Sequence, residues 1–379
     1  MKRLVVLVAL FLCLLPCPVR GEELTSGISE ALDKLELEQL GEELAALGEP
    51  FASGSLRETL TKIAKGEWTL SLDALLRLIS QRFLSALSGS LWRISRLLVP
   101  TLALGICNTL GKGNRSGQTA AYLCFLLVAV FMVQDLITHA QQAAAAVEKM
   151  SGGMQHLFPL LLTLLAAVGG STGAALFQPA VVAAAGSMTA LISKVTLPLA
   201  TGSALVTMVD HLGEEGRFSR LVSLLYTAAT WTLGICFTVF IGVILTQGMH
   251  AAAVDGVTIR TAKYALDNFI PVVGGLFADT VDTLVGGSLL IQNALGTTGL
   301  LLILGLCLTP LTQTLAAFTL YRATAALLQP VAEGRVLRCM DGFAKVLMLL
   351  FIIQLCAAAM FVLLIAQILA TTNLTVMLR

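Results

Sequence analysis

Apolar residues along this chain gather into long blocks instead of alternating with polar ones. The blocks lie at about 97–110, 119–137, 157–176, 180–208, 222–246, 275–295, 297–320 and 346–369. A helix that crosses a bilayer needs about 20 consecutive apolar residues, and isolated strands would leave backbone groups unpaired in lipid. The pattern therefore predicts an all-α, polytopic transmembrane helical bundle. Small residues such as Gly169, Gly170, Gly173, Gly186 and Ala190 punctuate the blocks and allow helices to pack closely. Two blocks are weaker spans: 97–110 is short, and 275–295 carries Asp279 and Asp282, each costly at mid-bilayer unless shielded. Two topologies follow. With eight spans, 111–118, 247–274 and 321–345 share the cytoplasmic side. With six, 97–110 and 275–295 insert only partly, and 209–221 joins 321–345 on that side. Arg322, Arg335, Arg338 and Lys345 make 321–345 cytoplasmic in both.

The first residues follow a different pattern. Lys2 and Arg3 precede an apolar run from Leu4 to Leu15, Pro16 and Pro18 then break it, and Val19 and Gly21 are small. This is the layout of a signal peptide, with cleavage after Gly21. Export would leave 22–92 outside the cytoplasm as a helical region. Leu32, Leu35, Leu40, Leu44 and Leu47 recur there near the helical period among Glu and Asp, and Leu72, Leu75, Leu76, Ile79, Phe83 and Leu87 do so again. Residues 93–379 then form the multi-pass domain.

Two strings recur at nearly one offset. Val168-Gly169-Gly170-Ser171 returns as Val285-Gly286-Gly287-Ser288, and Glu215-Gly216-Arg217-x-x-Arg220 as Glu333-Gly334-Arg335-x-x-Arg338. They outline two three-segment halves, 157–246 and 275–369, a 3+3 internal repeat of inverted orientation if every segment crosses. The alternative is chance recurrence of abundant residues.

Composition agrees with the blocks: 56% of the residues are hydrophobic and 12% charged, about half the charge of a soluble domain. The net charge of +1 gives no reason to expect nucleic acid as a partner. The eight cysteines are scattered, without a Cys-x-x-Cys pair, and read as buried thiols. The four histidines (139, 156, 211 and 250) read as interfacial. Gly111-Lys112-Gly113 lacks the rest of a phosphate loop, and no catalytic triad or His-Glu-x-x-His pattern is present. We therefore expect no enzymatic activity, no cofactor and no metal. Lys194, four residues before Pro198, either lines an aqueous path or pairs with Asp279 or Asp282, or it snorkels to an interface where Pro198 breaks the segment. Asp279 and Asp282, three apart on one helix, either hold a cation or proton or form a solvated face. Asp255, Arg260, Lys263 and Asp267 form a polar connection, with Lys263 and Asp267 at i,i+4 spacing, and read either as a solvated connecting helix or as a subunit contact. Pro271 and Gly274 mark a hinge or turn.

The run from Asp255 to Lys263 (DGVTIRTAK), continued by Asp267 to Gly274 (DNFIPVVG), together with DTVDTLVGGSLL at 279–290 and LLLTLLAAVGG at 160–170, resembles the stage III sporulation protein AE family. The resemblance covers about Phe158 to Leu369. It implies a membrane subunit of the channel or transport apparatus between mother cell and engulfed forespore, in the mother-cell membrane around the forespore. Its implied partners are other subunits of that complex, including a separate ATPase. The alternative, drawn from the repeat and the charges at Lys194 and Asp279, is a stand-alone secondary transporter. A membrane-embedded protease has the least support, because Asp279 and Asp282 lie on one helix.

Overall fold

The computed structural model describes residues 72–110, 115–167, 171–212, 217–269, 274–330 and 334–377. The signal segment with its cleavage site after Gly21, the acidic stretch before residue 72, and Pro271 lie outside the described residues. The regular structure among the described residues is all helical: α1 (Leu72–Leu110), α2 (Arg115–Ala167), α3 (Ser171–Leu191), a π turn (Ile192–Thr196), α4 (Leu197–Leu212), α5 (Ser219–Phe269), α6 (Gly274–Leu328) and α7 (Gly334–Met377). Five stretches are long and apolar enough to cross a membrane: Thr119–Thr163, Val182–Asp210, Ser219–Thr246, Gln292–Leu328 and Gly334–Thr371. The two parts of α1, Leu76–Trp92 and Ser95–Cys107, meet at 45° and make a sixth if counted together.

Several apolar blocks do not end where the hydropathy pattern places their ends. The block 97–110 is the C-terminal part of the longer α1, which bends between Trp92 and Ser95. The block 157–176 is not one span: its first part closes α2 and its second part opens α3. Conversely, 275–295 and 297–320 belong to one helix, α6, of 55 residues. Backbone hydrogen bonding explains the merging. A helix continues through a polar stretch at little cost, because each added residue gains a bond once the helix is nucleated.

Pro198 does not break its segment either. Its ring would clash with the carbonyl of Lys194, one turn before it, and the chain widens there into the π turn, where the Leu197 N–H bonds to the Ile192 carbonyl five residues back. The Thr196 hydroxyl also donates to the Leu191 carbonyl, at 3.4 Å. The helix survives as a local π bulge.

α7 lies at the centre. Of its most apolar stretch, 83% is buried, against 22% for α5. α6, α2, α4 and α5 all pack against α7, and α1 packs on α2 and α6. Buried hydroxyls satisfy themselves within their own helices, as when Thr298 donates to the Ala294 carbonyl and Thr312 to that of Leu308. Gln354 on α7 donates across to Thr314 on α6 at 3.2 Å, an interhelical bond of the kind that joins membrane helices.

A few contacts set the axial register. On α6 and α2, Tyr321 meets Asp135, and a Cβ at Gly299 would collide with the Leu157 side chain. The intervals Gly299–Tyr321 and Asp135–Leu157 are equal, so the helices run antiparallel for roughly 33 Å at about 1.5 Å per residue, the thickness of a hydrocarbon core. Arg322 on α6 meets Asp341 on α7, and a Cβ at Gly342 would sit 2.6 Å from Thr207 Cγ2 on α4. The end of α4 with the start of α5, and the end of α6 with the start of α7, therefore share one end of the bundle, together with Arg217, Arg220, Arg322, Arg335 and Arg338. We call this the basic end. The end of α5 and the start of α6 lie at the opposite end. The shared end of 209–221 and 321–345 is a relation of the six-span topology, but neither topology is reproduced: the six-span one needs 157–176 to cross as one segment, and the eight-span one needs 275–295 and 297–320 to be separate crossings.

The helices also outrun the bundle. α2 continues on the N-terminal side of Asp135 past the basic end, joined to α1, while the end of α5 and the start of α6 continue beyond the far end. Of the recurring strings, Ser171 begins α3, Val285–Ser288 lies inside α6 and Gly334 begins α7; Val168–Gly170, Glu215, Gly216 and Glu333 lie outside the described residues.

Candidate functional site

Where α1, α2 and α6 meet at the basic end, polar side chains gather that the apolar pattern did not single out. α2 carries Asp135 and His139 one turn apart, and α6 carries Tyr321 near its C-terminal end. The Tyr321 hydroxyl donates to Asp135 Oδ2 at 2.9 Å. His139, only 2% exposed, places Nε2 at 3.8 Å from the same carboxylate, beyond hydrogen-bond range for that pair. The Tyr321 ring packs on Phe343 of α7 with centroids 4.5 Å apart, an aromatic contact that fixes the hydroxyl's direction. Beside it lies a cavity of about 220 Å³ lined by Arg96, Gln134, Asp135, Thr138 and Tyr321 with Leu97 and Phe131. One residue further on, Arg322 pairs with Asp341 at 3.0 Å, both about half exposed.

This arrangement ties α2 to α6 through the Tyr321–Asp135 hydrogen bond. Among the described residues no group of three or more His, Cys, Asp or Glu is placed to hold a metal ion, and the six described cysteines are free thiols. His139 is buried rather than interfacial. The sequence did hold one signal: Asp135 is the lone carboxylate in the block 119–137, and an ionisable group in such a block marks a site by default.

The residues singled out from the sequence fall elsewhere. Lys194 sits on the π turn with its side chain exposed. The interval from Thr207 back to Lys194 places it roughly 20 Å from the basic end at about 1.5 Å per residue. Asp279 and Asp282 lie on α6, with Asp282 roughly 60 Å from Arg322 on the same measure. The fold therefore does not bring Lys194 together with Asp279 or Asp282, because a lysine side chain cannot span the difference. Asp255, Arg260, Lys263 and Asp267 lie on the prolonged end of α5, and Gly274 is the first residue of α6, so these residues and both α6 aspartates occupy the far end of the bundle.

The model of the stage III sporulation protein AE family matches residues 54–372, a range that contains all five candidate spans. The chain belongs to the stage III sporulation protein AE family. It is 33% identical over 266 residues to the stage III sporulation protein AE of Bacillus subtilis (strain 168), an alignment that covers 70% of this chain and 66% of that relative. The chain thus spans slightly under two thirds of the length of the curated relative it matches. No solved structure matches it. For this family member, the apolar helices and the family together establish the coarse reading, a membrane protein of sporulation.

Proposed function

We propose that the chain is a non-enzymatic, multi-pass membrane subunit of the channel or transport apparatus that joins mother cell and forespore during endospore formation. The observation that carries this reading is the family match from 54 to 372, which takes in every candidate span. In this reading the signal segment 1–21 is cleaved after Gly21 and the region that follows it, up to the start of α1, enters the space outside the mother-cell cytoplasm; the boundary at 92 falls too late for a cytoplasmic basic end, since Arg96, one turn beyond Trp92, lines the cavity there. The basic end faces that cytoplasm. The far end, with Asp255 to Asp282, faces the space between the membranes and meets other subunits, and a separate ATPase subunit supplies the energy.

The test is genetic and biochemical together. Deletion is expected to stop spore formation after engulfment has begun and to leave vegetative solute uptake unchanged. The purified chain alone in liposomes is expected to move no solute. Normal spore yield in the deletion strain would overturn the reading, and solute movement by the lone chain would replace it with the secondary transporter.

A further inference from the structure

The register that aligns the helices exposes an inversion on one side of the bundle. α5 starts level with the end of α4, where the Phe218 N–H donates to Asp210 Oδ1, and from there it shows Leu224, Trp231, Ile235 and Val239 to its surroundings. That face wants hydrocarbon. α2 at the same depth is the stretch between Asp135 and Leu157, and its exposed face there carries Gln141, Glu148, Lys149, Gln155 and His156, along with the apolar Ile137 and Ala145. Past the basic end the same face of α2 turns apolar, with Leu123, Leu127 and Val130 exposed.

A bilayer perpendicular to the bundle that covers the α5 face therefore meets two opposite charges and three other polar groups on α2. Charges at that depth are tolerated where they face a water-filled cavity or other protein, not acyl chains. A second observation lies at the same depth. The interval Asp135–Glu148 equals that from Thr207 back to Lys194, so the exposed Lys194 stands level with Glu148. Nearby along these helices, Gln142 Oε1 and Ser193 Oγ are buried atoms without a hydrogen-bond partner, a situation that water relieves.

We propose that the outward face of α2 from Gln141 to His156 lines a water-filled passage through the membrane, while α5 forms the wall that contacts lipid. One face cannot enclose a passage, so the remaining wall comes from further subunits; the proposal rests to that extent on the reading of this chain as part of a transport apparatus. The solute class the face fits is polar and without strong charge preference, since Glu148 and Lys149 offset each other.

Thiol accessibility tests the proposal in the full-length protein, expressed from its own locus in sporulating cells with its native cysteines replaced. Single cysteines at Gln141, Glu148, Ile235 and Val239 are exposed, from each side of the membrane in turn, to a permanently charged methanethiosulfonate and to the lipid-soluble N-phenylmaleimide. The charged reagent is expected to modify Q141C and E148C about a hundredfold faster than I235C and V239C, because it does not enter hydrocarbon. Modification of Q141C and E148C by the lipid-soluble reagent alone would overturn the proposal, as would protection from both reagents combined with cross-linking between chains, which would make the face a protein contact. Fast charged modification of I235C would place the bilayer against the other apolar belt and overturn it too. Abundance of each variant on immunoblot and spore yield before labelling are read separately. A deletion strain that sporulates normally defeats the assigned function, and leaves the labelling pattern as an independent measure of the passage.

Discussion

α2 and α5 are helices of nearly equal length, 53 and 51 residues, and each contains a stretch apolar enough to cross a membrane. They meet their surroundings in opposite ways. α5 buries little and shows large apolar side chains along its first half. α2 buries Met132, Leu136, Val147, Met150 and Met154 against its neighbours and, at the depth where α5 is greasiest, turns glutamine, glutamate, lysine and histidine outward. The difference shows that a span is defined by two separate requirements, what its neighbours need from its inner face and what its surroundings need from its outer one. Hydropathy averaged along a helix merges the two. The apolar block of α2 at 119–137 lies largely beyond the basic end, and its less apolar stretch 138–156 is the part level with the bilayer-facing part of α5.

The largest effect that can break this comparison comes from placing a charge on each face. Ile235→Arg puts a guanidinium on the exposed face of α5 and is expected to cost about 3 kcal/mol of insertion free energy, seen as a sharp loss of membrane-integrated protein on immunoblot. Glu148→Arg, at comparable depth on α2, is expected to leave abundance unchanged, and equal losses would erase the distinction between the faces. Next comes the register itself. Gly299→Leu drives a side chain into Leu157 and is expected to destabilise the bundle by about 1–3 kcal/mol, read as a lower melting temperature in detergent. Adding Leu157→Ala should recover part of that loss, and a double variant no better than the single would mean that the two helices are not in this register. Smaller is Tyr321→Phe, which removes the donor to Asp135 and is expected to cost about 1–2 kcal/mol in the same melting assay, with the cavity between α1, α2 and α6 loosened. Smallest is the exposed pair Arg322–Asp341. A double-mutant cycle with alanines is expected to give a coupling of under about 1 kcal/mol that shrinks in high salt, and a larger, salt-insensitive coupling would show that the turn between α6 and α7 is shielded from solvent.

How far the residues alone reveal this protein differs from region to region. The all-helical class was plain because lipid leaves few ways to pair a backbone, and the family was plain in the strings around Asp255–Gly274 and Asp279–Leu290. Helix ends were not. The pattern separates 275–295 from 297–320 at Gly296, yet the helix passes through because that glycine is where Leu369 of α7 comes close; it serves packing rather than a turn. Pro198 likewise reads as a break and is absorbed by a π bulge. Lys194, Asp279 and Asp282 drew attention as charges in apolar blocks, and the fold spreads them along the bundle. Asp135, in a block just as apolar, is the one that α6 meets through Tyr321.

Chemical character belongs to residues one at a time, so the order of amino acids was enough to demand lipid and to demand helices. Depth belongs to pairs of helices. Which stretch of α2 stands beside α6, and therefore whether its polar face sits in water, in lipid or against another subunit, is set by contacts such as Asp135–Tyr321 and Leu157–Gly299 between residues far apart in the chain, and interactions at that sequence distance leave no periodic trace for a local pattern to display.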